Sequence, residues 1–439
     1  MRNPCSVQIK TITSVIAMLM TGSVIAISPT IQESSVNVTQ PSSGGRVTIS
    51  YRLLGAPAIV TVDIQTNTLA DASGEWVSVG GEHLRHMIGA VNRVNKTLDG
   101  ISEVYWNPHK EWAKSDARFV QQVKAVVTAW PTNNPPPYMA VDLQNPSNVF
   151  FYASREAIPG GDTNDQYKTS WMLMRKVPAS NVIWWMGTES GRRAQVALTE
   201  DFYCGIYELT QAQYRKFMSS TSYTPAVAGD KLPVCGTRYD AVRGNISPIG
   251  GNRWPDDGHA AGGALAKLRN STGIEFDFPT EAQWEFACKA GTALDYGGAA
   301  IGDVAWYAGN WAEDTTISAN EVHEVGLKSP NAYGLYDMHG NVWEVCLEGL
   351  VDYNTSWLAA WVPGSAPIID PTNAANVPDK ATWKDSFIGR YFVHKGGGYT
   401  SSAVDCRAGV WRATADWNDV RTYDHLRGFR FVAPAIMPY

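Results

Sequence analysis

Between about Ser35 and Trp130, apolar and polar residues alternate with a period of two. VNVTQ (36–40), RVTISYRLL (46–54), AIVTVDIQT (58–66), EWVSV (75–79), EVYWNP (103–108) and VQQVKAVVTAW (120–130) are separated by Gly, Ser, Asn and Asp. Short alternating runs bounded by turn residues are the pattern of strands with one buried face. The stretch 35–130 is therefore predicted to be an antiparallel β-sandwich of immunoglobulin or fibronectin type III size. It shows no candidate chemistry. PTNNPPP (131–137) then stiffens the chain into an extended connector and marks a domain boundary.

From 138 onward the pattern changes. In TQAQ (Thr210 to Gln213) and TEAQ (Thr280 to Gln283), a Thr stands three residues before a Gln. That spacing lets each side chain satisfy an orphan amide of a first helical turn, so both are predicted capping boxes. They open QAQYRKFM (211–218) and EAQWEFACKA (281–290), whose apolar residues recur at helical spacing, and Gly291 is placed to end the second. A third helix is predicted over about His259 to Arg269, followed by Gly273. Beyond Gly291 helical periodicity fades, and glycine-punctuated, Trp-rich loops take over.

Composition sharpens this picture. The 439 residues carry 36 Lys+Arg against 42 Asp+Glu, a formal charge of −6, which argues against a nucleic-acid footprint. Seventeen Trp, 39 Gly and 24 Pro favour short elements and ordered loops packed by aromatic side chains. Residues 1–26 read as an export signal, with Arg2 and Lys10 ahead of an apolar stretch and Ala26 at the cleavage point. No later segment is apolar enough to span a membrane, so the chain is expected to be exported: periplasmic, cell-surface or secreted. Beyond Cys5 lie Cys204, Cys235, Cys288, Cys346 and Cys406, an odd number whose spacings match no zinc motif. His83 and His86 are the single close histidine pair, and His339, His394 and His425 are isolated.

Six motifs then appear in order: FYCGIYELTQAQY (202–214), FPTEAQWEFACKAGT (278–292), NAYGLYDMHGNVWE (331–344), KGGGY (395–399), CRAGVWR (406–412) and GFRFV (428–432). Together they resemble the formylglycine-generating enzyme, or sulfatase-modifying factor, family over about 140–437. The resemblance implies an α+β, loop-rich, C-type-lectin-like fold over 138–439, set behind the β-sandwich. For activity it implies copper-dependent oxidation of a substrate Cys, which in the family needs two thiolates five residues apart, a soft pair suited to Cu(I). Here the first position is Ser401 and the second is Cys406, while Gly398 replaces the family's Ser. With half of the pair missing, copper is not expected, and Cys406 is the surviving catalytic candidate. The histidine-rich domain of the family's sulfoxide-synthase branch has no counterpart in 27–137.

The resemblance also implies a Cys346–Cys406 disulfide and a structural calcium site at Asp337, Gly340, Val342 and Glu344. Carboxylates with backbone carbonyls turned inward at a glycine suit that hard cation. A second family site is only partly matched, at Asn310 and Trp311. Loops on a rigid scaffold are where recognition resides, so Tyr399, Thr400, Ser401 and Ser402, with Trp417, Asn418 and the run to Asp424, are the predicted ligand surface for a protein, peptide or glycan. Two functions follow: a non-catalytic, calcium-stabilised binding module, or a formylglycine-generating oxidase relying on Cys406.

Overall fold

A computed structural model of the protein describes residues 28–41, 45–67, 73–97, 100–111, 123–188, 193–218, 227–237, 239–243, 263–313, 322–350, 364–371, 391–415 and 426–438. The export signal, the start of the third predicted helix, His425 and the surface residues Trp417 to Asp424 lie outside them.

The alternating N-terminal stretch forms two antiparallel sheets around one apolar core. One sheet contains Val47–Leu54 between Ile101–Trp106 and the short strands Thr30–Ile31 and Asn37–Thr39; the other contains Ala58–Asn67 between Val123–Pro131, Trp76–Ser78 and Arg93–Asn95. Val47, Ile49, Tyr51 and Leu53 are buried and the residues between them are not, as the sequence period requires. Ala58–Asn67 departs from alternation, because Ala58 to Val62 are all buried. The reason is a second layer: Ile59 joins the core of the C-terminal unit, Trp130 packs against that core, and the Phe151 amide donates to the Asn92 carbonyl at 2.9 Å. The 131–137 connector is docked as well, with Pro135 and Pro136 buried and the Tyr203 hydroxyl donating to the Pro136 carbonyl at 2.5 Å.

The C-terminal unit is organised by a five-stranded antiparallel sheet in the order Val149–Tyr152, Tyr138–Asp142, Trp171–Val177, Phe202–Gly205, Val432–Pro434. Both its faces are covered. Ala140, Leu173, Cys204 and Val432 enter one core, while Met139, Met174, Tyr203 and Ala433 enter the other. The Gln211–Phe217 and Ala264–Thr272 helices supply Tyr214, Phe217, Leu265 and Leu268 to the second core, and the Glu281–Lys289 helix supplies Trp284 and Phe286 to the first. A sheet buried on both sides carries no polar alternation.

A four-stranded sheet, Trp411–Ala415, Tyr391–Lys395, Trp343–Leu350 and Arg427–Gly428, takes up one or two end residues of each of the last four motifs. A three-stranded sheet of Ile183–Gly187, Arg193–Ala197 and Ile368–Ile369 and a two-stranded parallel one of Ala305–Trp306 and His339–Gly340 belong to the same unit. Among the described residues no helix is long and apolar enough to cross a membrane.

Candidate functional site

Both capping boxes form. The Thr210 and Thr280 hydroxyls accept the Gln213 and Gln283 amides at 3.2 and 3.1 Å, and each Gln side chain accepts the Thr amide in return at 3.0 Å. The second box fixes the start of Glu281–Lys289 and so aims Glu281, Trp284, Glu285 and Cys288 inward, all buried. Lys395, fully buried, meets Glu285 at 2.8 Å and Glu281 at 3.4 Å. Burial opposes ionisation of Glu285, yet Lys395 and Lys289 hold its carboxyl below the usual range; burial raises that of Glu281, which Lys395 only partly offsets. Lys395 thus pins the strand end that leads into the glycine turn 396–398.

That turn depends on glycine. Gly397 has φ 80°, and a β-carbon there would come within 2.5 Å of the Cys406 sulfur. Gly340, with φ 78°, is as constrained, since its β-carbon would fall 2.1 Å from the Trp306 carbonyl oxygen. Beyond the turn, the Ser401 hydroxyl accepts the Gly398 amide at 2.9 Å. Cys406 is fully buried, and burial, aided by Asp405, pushes its thiol up to about 12. At neutral pH the group is a protonated thiol, which is neither a nucleophile nor a good soft-metal ligand.

Beside this turn lies a buried cluster of charge. The Glu344 carboxylate accepts three hydrogen bonds from Arg430 between 2.6 and 3.0 Å, and its Oε2 also accepts the Trp284 indole N–H at 2.6 Å. Arg430 also donates to the Gly205 and Tyr336 carbonyls, both at 2.8 Å. Glu208, with no exposed surface, accepts the Asn341 side-chain amide at 2.6 Å and the Val342 amide at 3.2 Å. Asp337 accepts the Gly326 amide at 2.6 Å. Burial, with Asp337 and Glu344 nearby, raises the Glu208 carboxyl well above its ordinary range, and burial raises that of Asp337 to about 6.

A family model described as the sulfatase-modifying factor enzyme 1-like domain matches residues 157–435. The chain belongs to this family. It is 26% identical over 234 residues to the formylglycine-generating enzyme of Mus musculus, a match covering 44% of this chain and 62% of the mouse protein. It is 30% identical over 176 residues to the chaperone protein LppX of Paenibacillus barcinonensis, covering 34% of this chain and 62% of that one. The chain thus spans about three-fifths of these relatives' lengths. Among solved structures it is similar to Treponema denticola variable protein 1, at TM-score 0.39 and 24% identity over 60% of this chain and 95% of that one. It is also similar to PvdO from Pseudomonas aeruginosa, at TM-score 0.40 and 20% identity over 60% and 94%.

Several expectations carried over from the sulfatase-modifying factor family change once the residues are placed. No sulfur–sulfur bond joins Cys346 to Cys406. Val345 pairs with His394, so Cys346 faces a core alongside the interior of the Tyr391–Lys395 strand, whereas Cys406 stands over Gly397, beyond that strand's end. Tyr399 is not a surface residue: it is 5% exposed and packs with Val342 and Leu232, edge-on to Trp311. Thr400 and Ser402 are exposed, and Ser401 is half-buried.

Glu344, expected as a calcium ligand, is committed to Arg430 and Trp284. Among the described residues no three Asp, Glu, His or Cys side chains converge as a metal site, and the expected calcium set of Asp337, Glu344 and the Gly340 and Val342 carbonyls contains two carboxylates. Asn310 braces its own loop, accepting the Tyr307 amide and donating to the Ala305 carbonyl, both at 2.9 Å. What the sequence reading missed is Glu208 and the Glu281–Glu285–Lys395 group. Glu208 lies inside the quoted IYELTQ motif, but nothing in its spacing marks it as buried.

Proposed function

We propose that this chain is an exported, non-catalytic member of the sulfatase-modifying factor family that displays a binding surface around Thr400 to Ser402. The observation that carries the reading is the state of the two positions where the family's copper pair belongs. One is Ser401, its hydroxyl engaged by the Gly398 amide; the other is Cys406, a buried thiol whose affinity for its proton is raised by burial. Cu(I) and oxygen chemistry needs two accessible thiolates, and neither position offers one. The ligand is a protein, peptide or glycan taken at the exposed turn.

The test is incubation of the purified chain with Cu(I), oxygen and a peptide containing Cys-x-Pro-x-Arg, followed by mass spectrometry. The expected result is an unchanged peptide thiol; conversion to the aldehyde would establish the oxidase reading instead. Ser401→Cys is expected to raise Cu(I) affinity above that of the parent chain.

Calcium is a second part of the proposal, supported by charge. Glu208, Asp337 and Glu344 lie near one guanidinium, Arg430, which pairs with Glu344, and near the buried Lys168, which acts on Asp337, so one carboxylate of a buried cluster is left for a proton or a cation to neutralise. Asp337 with the Gly340 and Val342 carbonyls is the ligand set proposed, Glu344 being taken by Arg430. Thermal unfolding at pH 7 in EDTA and in millimolar calcium checks this. A higher midpoint with calcium is expected, and coincident curves would assign the neutralisation to protons.

A further inference from the structure

Outside the turn and the charge cluster, a cavity of about 110 Å3 lies between the end of the Glu281–Lys289 helix and the 292–299 and 329–335 loops. Its floor is apolar: Val304, Leu335 and Met338 line it and are buried. Its rim is open, because Gly297, Ala299, Ser329 and Ala332 line it and are exposed. Ala290, at φ 45°, and Tyr296, at φ 53°, are non-glycine residues in the left-handed region, and both shape its wall.

At the bottom stands His339, 4% exposed. Its Nδ1 lies 2.7 Å from the Cys406 carbonyl oxygen, an acceptor only, so Nδ1 carries the proton and Nε2 keeps its lone pair. Burial holds the imidazole below its usual pKa, and the neutral ring is kept. The nearest partner for Nε2 is the Cys288 sulfur at 3.7 Å, a weak donor that also has the Met338 carbonyl at 3.5 Å as an alternative. The Tyr296 ring meets the imidazole edge-on, closing one side. Lys289, the cationic side chain on the wall, is already held by Glu285 and the Trp185 carbonyl, both at 2.7 Å.

We propose that this cavity binds a small neutral hydrogen-bond donor, an N–H or O–H group on a compact apolar body no larger than a five-membered ring, with the donor directed to His339 Nε2. The size follows from comparison with cavities of about 150 Å3, which take benzene. The polarity follows from a floor with one buried acceptor and no uncommitted charge. The site does not depend on whether the Thr400–Ser402 turn binds anything.

The full chain, with 15N-labelled histidine, is titrated with pyrrole and with furan, which has the same ring size but no donor. Pyrrole is expected to shift the His339 Nε2 resonance and saturate in the millimolar range, with furan about ten-fold weaker. Equal affinity for the two would reduce the cavity to an apolar void, and the absence of saturable binding by either would remove the site; both outcomes overturn the proposal. Ala332→Phe, at the exposed rim, is expected to abolish pyrrole binding with the thermal midpoint unchanged. Undiminished binding by that variant would place the ligand elsewhere. His339→Asn keeps a donor for the Cys406 carbonyl but has no second ring nitrogen, and its affinity for pyrrole is expected to fall to that for furan.

Discussion

The N-terminal sandwich and the C-terminal unit are held together by different physics. In the sandwich, Val47–Leu54 alternates, and apart from the uncharged Thr61, Asn95 and Ser102 the buried set is apolar, led by Val47, Ile49, Val60, Ile64 and Trp106. The C-terminal unit buries Glu208, Glu281, Glu285, Asp337, Glu344, Lys395 and Arg430 as well as its apolar cores. A fold made of short strands and glycine turns leaves many backbone groups without a regular ladder. Buried charges with several hydrogen-bonding arms satisfy them: Arg430 alone reaches Gly205, Tyr336 and Glu344. Regular sheets specify themselves through a pattern, whereas irregular ones are specified by particular side chains.

The sharpest test of this contrast is removal of the guanidinium. Arg430→Met strands Glu344 as an unpaired buried carboxylate and is expected to cost about 4 kcal/mol, read as a loss in urea midpoint. The double variant Arg430→Met with Glu344→Gln is expected to recover part of it; no recovery would mean that the bonds to Gly205 and Tyr336 matter more than the ion pair. In the sandwich, Ile49→Ala is expected to cost about 3 kcal/mol through lost apolar burial and the cavity left behind, with no dependence on pH.

A pH effect should appear in the C-terminal unit alone. The folded Asp337 carboxyl is raised from its ordinary 3.8 to about 6, so its protonated form is favoured by folding. Its contribution is fully present below about pH 4 and is lost as pH rises through 6, a decline of up to about 3 kcal/mol in EDTA. Urea titrations at pH 4.5 and 7 check the sign, and a smaller decline in Asp337→Asn than in the parent chain, with Glu208 and Glu281 still titrating, would assign it.

The smallest effect expected is at the helix caps. Thr280→Ala should cost about 1 kcal/mol. Thr210→Ala should cost more, because the Thr210 hydroxyl also donates to the Lys168 carbonyl at 2.7 Å. Equal losses would show that this extra bond contributes little.

Features written locally in the chain were legible. The two capping boxes are contacts between residues three apart, and both form as their spacing predicts. The third helix begins at Ala264 among the described residues and ends at Gly273, whose φ of 71° gives it the left-handed stop that glycine permits. The alternating N-terminal runs became strands at nearly the predicted positions, including Val47–Leu54 and Ala58–Asn67. The strands of the central sheet were not read as such, because YMAVD and FYCG feed two cores and therefore carry no alternation.

The sequence by itself determined the family, the sandwich, the capped helices and the loss of one thiol at Ser401. Each of these is carried by residue identity or by spacing within a few positions. The tertiary structure alone decided that Glu344 serves Arg430, that Tyr399 is core, that Cys346 and Cys406 stay apart, and that His339 closes the floor of a cavity. Those outcomes depend on which partners, 60 to more than 200 residues distant, the fold brings within hydrogen-bonding reach, as in Trp284 to Glu344 and Gly205 to Arg430. A carboxylate looks the same in the chain whether it meets a cation, a guanidinium or water, and burial then fixes which of these it keeps.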